Sequence, residues 1–323
     1  MRRRGVRRLW FHWSAAVSPF DNGLFGFVLK TALERNARSA AKKSFVPYHE
    51  LPPYALSRIE QLEVIMPLLK VGQSQIYYEV HGEGPDLIFV HGAGGNHASW
   101  YHQIVAFEGY RCITFDARGF GNSTDAEGLG RTAFPGDLKA IFEALEIRKA
   151  ILVAQSMGGG TCLSFTCRHP ETVRALVLAD TLVGVRLPDS IAGFMADVQK
   201  RTRDLSQAER VLGATTLASN PAATMLYLQL ASFNKVNVHT LTGEQKLHSP
   251  QDLQATGVPV LYVAGEEDSL FPANAIAAVQ QEVANSTYAL ITKAGHSAYF
   301  ERPDEFNRIV KDWLKQNGCG PTH

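Results

Sequence analysis

The chain has 323 residues, 45% of them hydrophobic, and a formal net charge of +1. That is material for one large α/β domain or two smaller ones, and the near-neutral balance argues against a general polyanion binder, so no nucleic-acid partner is expected. The charge is uneven, since residues 1–65 hold 11 Lys/Arg against 5 Asp/Glu and the remainder is mildly acidic.

Residues 1–65 read as an N-terminal extension, either disordered or a leader. Arg2, Arg3, Arg4, Arg7 and Arg8 precede Trp10, Phe11, Trp13 and Phe20, and no acid occurs before Asp21. That composition is the one expected of a mitochondrial or plastid presequence. A twin-arginine export signal fits less well, because His12 and Pro19 break the apolar core. A third reading needs no targeting. Met66 opens Met66-Pro67-Leu68-Leu69-Lys70-Val71, which has the form of a natural first strand, so the true start can be Met66 and the location cytoplasmic. No run of 18 apolar residues occurs, so no membrane span is expected.

From Met66 the alternation becomes regular. Leu68 to Val71 and Gln75 to Val80 are expected as two strands around a Gly72-Gln73 turn. Leu87 to Val90 is a buried strand running into His91-Gly92-Ala93-Gly94-Gly95. A helix follows over Ala98 to Phe107, then a strand over Arg111 to Phe115 ending in Asp116-Ala117-Arg118-Gly119-Phe120-Gly121-Asn122-Ser123. A helix at Phe134 to Leu145 leads to the apolar strand Ala150 to Val153, a helix from Thr161 to His169 stopped by Pro170, and a strand at Ala175 to Ala179. Strands separated by helices in this rhythm imply parallel pairing with right-handed crossovers. After Asp180 the rhythm stops. Residues 182–252 hold only helical stretches (Ile191 to Arg203, Gln207 to Ala218, Ala222 to Val236), as expected of a helical cap inserted after the sixth strand. The strand–helix alternation resumes at Val258 to Ala264 and continues through a helix at Ala273 to Glu282, a strand at Tyr288 to Ile291 and a helix at Asp304 to Lys315. Residues 318–323 form a short tail. The expected fold class is α/β, a mostly parallel doubly wound sheet over residues 66–317. Cys112, Cys162, Cys167 and Cys319 show neither metal-ligand spacing nor a disulfide framework, and read as reduced thiols.

The chemistry concentrates at Ala154-Gln155-Ser156-Met157-Gly158. A serine where a strand turns sharply into a helix, with very small residues two positions to either side, is a nucleophile elbow. Larger side chains at those positions would collide with the strained turn. A serine nucleophile at neutral pH needs a base within hydrogen-bond reach, and that base needs a partner to fix its tautomer. Gly265-Glu266-Glu267-Asp268 and Gly295-His296 follow the last two strands, and ligands bind at the carboxyl ends of strands in open α/β sheets. Ser156, Asp268 and His296 are therefore the candidate catalytic residues, in the chain order this arrangement requires. Glu266, Glu267 and Asp180 are alternatives for the acid.

With these motifs in hand, the sequence resembles the α/β-hydrolase superfamily over residues 66–317. It is most similar to small capped serine hydrolases of the 3-oxoadipate enol-lactonase and carboxylesterase kind. The resemblance rests on the His91 loop, the Asp116 to Ser123 stretch, the Ser156 elbow, Gly265 to Asp268, and Gly295-His296 with Glu301-Arg302-Pro303. It implies an oxyanion hole from the backbone N–H groups of Ala93 and Met157, with His91 and Asp116 supporting their loops. It implies an esterase or lactonase acting on a small molecule, with no metal or organic cofactor. A serine at the elbow disfavours dehalogenase and epoxide hydrolase chemistry. The absence of proline from the His91 loop weakens the carbon–carbon hydrolase and perhydrolase readings. A ligand sensor of slow turnover on the same fold is the alternative of a different class. Gly94 and Trp100 are the candidate substrate-binding residues, and His97 is a further neighbour of the site. Arg201, Arg203, Arg210 and Lys235 in the cap are the cations that a dicarboxylate substrate would call on.

Overall fold

The structure, a computed structural model, describes residues 67–321, so the expectations for residues 1–65 and the last two residues lie outside it. All eight expected strands form, as β1 (Leu68–Val71), β2 (Ser74–His81), β3 (Asp86–Val90), β4 (Arg111–Phe115), β5 (Ala150–Gln155), β6 (Val173–Ala179), β7 (Val260–Gly265) and β8 (Ser286–Ile291). They make one sheet in the order β1-β2-β4-β3-β5-β6-β7-β8. β2 is antiparallel to both β1 and β4, and from β4 to β8 every pairing is parallel.

The helices between strands are α1 (Tyr101–Ala106), α2 (Phe134–Ala144) and α3 (Met157–Arg168), followed after the cap by α9 (Ala273–Gln281), α10 (Ala298–Glu301) and α11 (Pro303–Gln316). The cap supplies α4 (Asp189–Arg201), α5 (Gln207–Val211), α6 (Ala214–Ser219), α7 (Pro221–Ser232) and α8 (Pro250–Ala255). Among the described residues no helix is long and apolar enough to cross a membrane.

The two-residue period of the strands sorts an almost wholly apolar sheet into two cores. Leu87, Phe89, Ile151, Val153, Val177 and Val263 pack on one side with Phe306, Val310, Trp313 and Leu314, which recur at helical spacing along α11. Ile88, Val90, Leu152, Ala154, Leu176 and Leu178 pack on the other with Leu138, Ile141 and Leu163 of α2 and α3. Full burial of each large aliphatic or aromatic side chain is worth ~1.5–3 kcal/mol. These layers are the rigid base on which the loops stand.

The strand order turns back between β3 and β5, and such switch points open a crevice at the carboxyl ends of the strands. Val90 and Ala154 are in register there, so the His91 loop and the Ser156 turn emerge side by side. The cap leaves after β6 and returns to its own root. Val185 and His248 form a parallel bridge, with Arg186 N–H donating to His248 O at 2.7 Å and His248 N–H to Gly184 O at 2.8 Å. The single helix expected over Gln207 to Ala218 is instead two, α5 and α6, broken at Leu212-Gly213. The Gly213 N–H is drawn to Glu301 Oε2 at 2.8 Å. A Cβ on Gly213 would stand 2.8 Å from Gly295 N, so the chain bends there to close on the loop that carries His296.

Candidate active site

β5 is buried along its whole length, and at its end Ser156 takes φ 50° and ψ −118°, a left-handed conformation rare outside glycine. The position two residues on is closed to any side chain. A Cβ on Gly158 would lie 2.9 Å from His91 O, with Val90 O closer still. Ala154, two residues back, is fully buried and accommodated. A Cβ on Gly92 would stand 2.8 Å from Ser156 Cβ, so this glycine lets the His91 loop lie against the elbow.

His91 is fully buried and holds that loop from behind. Its Nε2 accepts the Ala117 N–H at 2.9 Å, which puts the ring proton on Nδ1, 2.7 Å from Gly92 O. Burial lowers its pKa, in keeping with a neutral ring. Asp116 is likewise structural: its carboxylate accepts the N–H groups of His97 and Asn122 at 2.7 and 2.8 Å, and its carbonyl accepts Ser123 Oγ at 2.6 Å. His97 Nδ1 pairs with Asp116 Oδ1 at 2.8 Å and is committed to this loop. Ala93 packs on an apolar cluster of Ala117, Phe120, Phe134 and Met157, joined by Val236 and Leu241 from the cap. Among the described residues, neither the Ala93 N–H nor the Met157 N–H donates to a protein acceptor.

His296 and Asp268 meet beside this pair of loops. His296 Nδ1 is 3.0 Å from Asp268 Oδ2, and both side chains are almost wholly buried. Asp268 Oδ1 is fixed by the N–H groups of Leu270 and Phe271 at 2.8 and 3.0 Å. Burial pulls the His296 pKa down, but the carboxylates of Asp268, Asp180 and Glu301 together raise it above the usual imidazole value. Among the described residues Ser156 Oγ makes no hydrogen bond, and serine–imidazole geometry is commonly loose before substrate binds. The other three candidate acids have hydrogen-bond partners other than His296. Glu266 accepts the Lys293 N–H at 3.0 Å, Glu267 accepts the N–H and hydroxyl of Thr215 in the cap, and Asp180 accepts two backbone N–H groups.

Trp100 requires a correction. It has no exposed surface and lies between Phe89 and Tyr299, at ring-centroid distances of 5.0 and 4.2 Å, so it packs in the core and not on the open face of the site. Gly94 is half-buried, and the direction of its missing Cβ is filled by the hydroxyl of Tyr227, 2.8 Å away. Sequence reasoning did not assign two side chains that hold the site together. Gln155 Nε2 donates to His296 O at 2.6 Å and so ties the elbow strand to the loop of the imidazole. Glu301 accepts the N–H groups of Gly295 at 2.9 Å and Gly213 at 2.8 Å and joins that loop to the cap. Burial raises the Glu301 pKa against the hydrogen bonds it accepts.

A family model described as the alpha/beta hydrolase fold matches residues 85–303. The 2-hydroxy-6-oxononadienedioate/2-hydroxy-6-oxononatrienedioate hydrolase of Paraburkholderia phymatum is 27% identical over 266 residues, which cover 75% of this chain and 91% of that protein. The solved bromoperoxidase from Bacillus anthracis is 27% identical with a TM-score of 0.65, covering 77% of this chain and 99% of that one. The enol-lactonase from Burkholderia xenovorans shares the fold at 20% identity and a TM-score of 0.64, over 77% and 100% of the two chains. The match takes in β3 to β8, the elbow and the loops of Asp268 and His296, and the chain belongs to the alpha/beta hydrolase fold family.

Proposed function

We propose that this protein is a serine hydrolase that cleaves a carboxylic ester or lactone through an acyl-enzyme on Ser156. The observation that carries the reading is the buried contact of 3.0 Å between His296 Nδ1 and Asp268 Oδ2. With its Nδ1 proton committed to the carboxylate, the neutral ring keeps its lone pair on Nε2, the atom needed to receive a serine proton. Ser156 Oγ attacks the carbonyl carbon and its proton passes to His296. The tetrahedral oxyanion accepts hydrogen bonds from the N–H groups of Ala93 and Met157, which have no partner to give up among the described residues. One such donor is typically worth about 10²–10³ in turnover. The alcohol, or the ring oxygen of a lactone, departs with the proton from His296. Water, deprotonated by the same imidazole, then releases the acid and restores Ser156.

The side chains around the two donors are apolar, namely Phe120, Phe134, Met157, Val236 and Leu241. That supports a small, uncharged acyl group over a dicarboxylate. In the cap, Arg201, Arg203 and Lys235 are exposed and Arg210 is half-buried, which supports the same choice. The likeness to a bromoperoxidase makes hydrogen peroxide a second acyl acceptor to test in place of water, although the proline-free His91 loop weighs against it.

The test is turnover of p-nitrophenyl acetate and butyrate, alongside lactones, thioesters and peroxide as competing acceptor. Ser156→Ala should lower turnover by on the order of 10⁶ if the three residues act as a unit. Labelling of Ser156 with no sustained rate on any substrate would instead indicate the ligand sensor.

A further inference from the structure

Asp180 stands at the end of β6 as Ser156 stands at the end of β5. The strands are in register at Gln155 and Ala179, and the next residue on each takes a left-handed backbone, φ 50° at Ser156 and 49° at Asp180. Aspartate is among the few non-glycine residues that visit this region. Here it carries a carboxylate with no exposed surface. Its Oδ1 accepts the N–H of Gly265 at 2.7 Å, three residues before Asp268. Its Oδ2 accepts the N–H of Ala298 at 3.1 Å, two residues after His296. One buried side chain thus grips the roots of both loops.

The groups facing the imidazole come from three elements: Asp268 beyond β7, Asp180 beyond β6 and Glu301 on α10, with the Phe271 ring at 5.6 Å. Around Asp180 the remaining titratable groups are Tyr227 of α7, Tyr288 of β8 and Tyr299 of α10, whose raised pKa values keep them neutral. We infer that Asp180 is a positioning residue: it fastens the acid and base loops to the strand beside the nucleophile, and its carboxylate shares with Asp268 the imidazolium formed when Ser156 gives up its proton. The inference rests on the roles proposed above for Ser156, His296 and Asp268. Burial and the Asp268 charge raise the pKa of Asp180 to about 8, and formation of the imidazolium, with the two N–H donors, draws it to its ionised form. Losing the carboxylate should therefore loosen two loops and, separately, weaken the hold of His296 on its proton.

Asp180→Asn preserves shape and tolerates the left-handed turn, while Asp180→Gly takes that turn without steric cost and serves if the first variant folds poorly. The readout is the first-order rate constant for labelling Ser156 by an organophosphonate in the full chain, followed across pH. A rate constant, unlike a specific activity, does not fall when part of the sample is unfolded. In both variants the acidic limb should move to lower pH by about 1 unit, the effect of removing one nearby opposite charge. The plateau should fall by about 10- to 100-fold as the loops shift, against a loss on the order of 10⁴ for Asp268→Asn. An acidic limb that stays in place in both variants overturns the inference. A loss as large as that of Asp268→Asn also overturns it, because Asp180 would then be the orienting carboxylate. If wild-type Ser156 is not labelled at all, the proposed function fails and the inference falls with it, so the two failures are told apart.

Discussion

Gly158→Ala tests the elbow more sharply than removal of the serine. A Cβ at this position would stand 2.9 Å from His91 O and from the Val90 carbonyl carbon, and nearer to Val90 O. Relief of about 1 Å at Val90 O is needed to restore ordinary contact, and overpacking costs about 1–3 kcal/mol. No flexible side chain can absorb it. The obstacle is the end of β3, a central strand locked in register with β5 at Val90 and Ala154. For a domain of this size about 2–4 °C of melting temperature goes with each kcal/mol, so the variant should melt about 2–12 °C lower. The cost to activity should be larger, because the displaced atoms carry Ser156 on one side and lead to Ala93 on the other. A misplacement of 1 Å can cost about 10² in rate, so a loss of about 10-fold or more in kcat/KM is expected. Differential scanning fluorimetry and p-nitrophenyl butyrate turnover, normalised by active-site labelling, measure both. A variant that melts and turns over like wild type would refute the reasoning, since the elbow would then have room for a methyl group.

The remaining expectations concern charge and its partners. Glu301→Gln keeps one acceptor for the N–H groups of Gly213 and Gly295 and turns an amide NH₂ toward the other. It should destabilise by about 1–3 kcal/mol, with faster hydrogen exchange at both glycines. The acidic limb of kcat/KM should have its midpoint above the ordinary imidazole value of 6.5, because the carboxylates around His296 raise its pKa. A midpoint below 6.5 in a pH–rate profile contradicts that electrostatic picture. His91 has the opposite sign. Its folded-state pKa is lowered, so the folded state binds fewer protons than the unfolded chain, and the stability it confers is lost as pH falls below the ordinary value. The decline of melting temperature on acidification should therefore be shallower in His91→Gln than in wild type.

The strands were legible because each central one is a short apolar run bounded by turn residues, and because helices separate them. The elbow was legible for a local reason as well: its crowding is set by residues two positions from Ser156, and Gly158 carries that constraint in plain view. The break at Gly213 was not. The glycine inside the helical pattern of Gln207 to Ala218 is a weak local hint of it, but the carboxylate that fixes the bend stands 88 positions away at Glu301. The same holds for Gln155, whose amide reaches across 141 positions to His296 O. Asp180 was visible as an acid at a strand end, but its left-handed backbone was not, because that conformation follows from what it grips. Trp100 was misjudged because proximity in sequence to the His91 loop says nothing about which face of the sheet a side chain enters.

The bridge between Val185 and His248 turns the whole cap into a detour whose exit and entrance share one doorway. The sheet consequently does not sense how long the detour is, since each doubling of a closed loop adds only about 0.6 kcal/mol of closure entropy. Segments between the doorposts can be lengthened, shortened or exchanged while the elbow and its partners keep their places. The touchpoints at Gly213 and Thr215, clasped by Glu301 and Glu267, and at Asn234, which meets Gly95, Asn96 and Gly121, are among those to be preserved for a transplanted lid to seat.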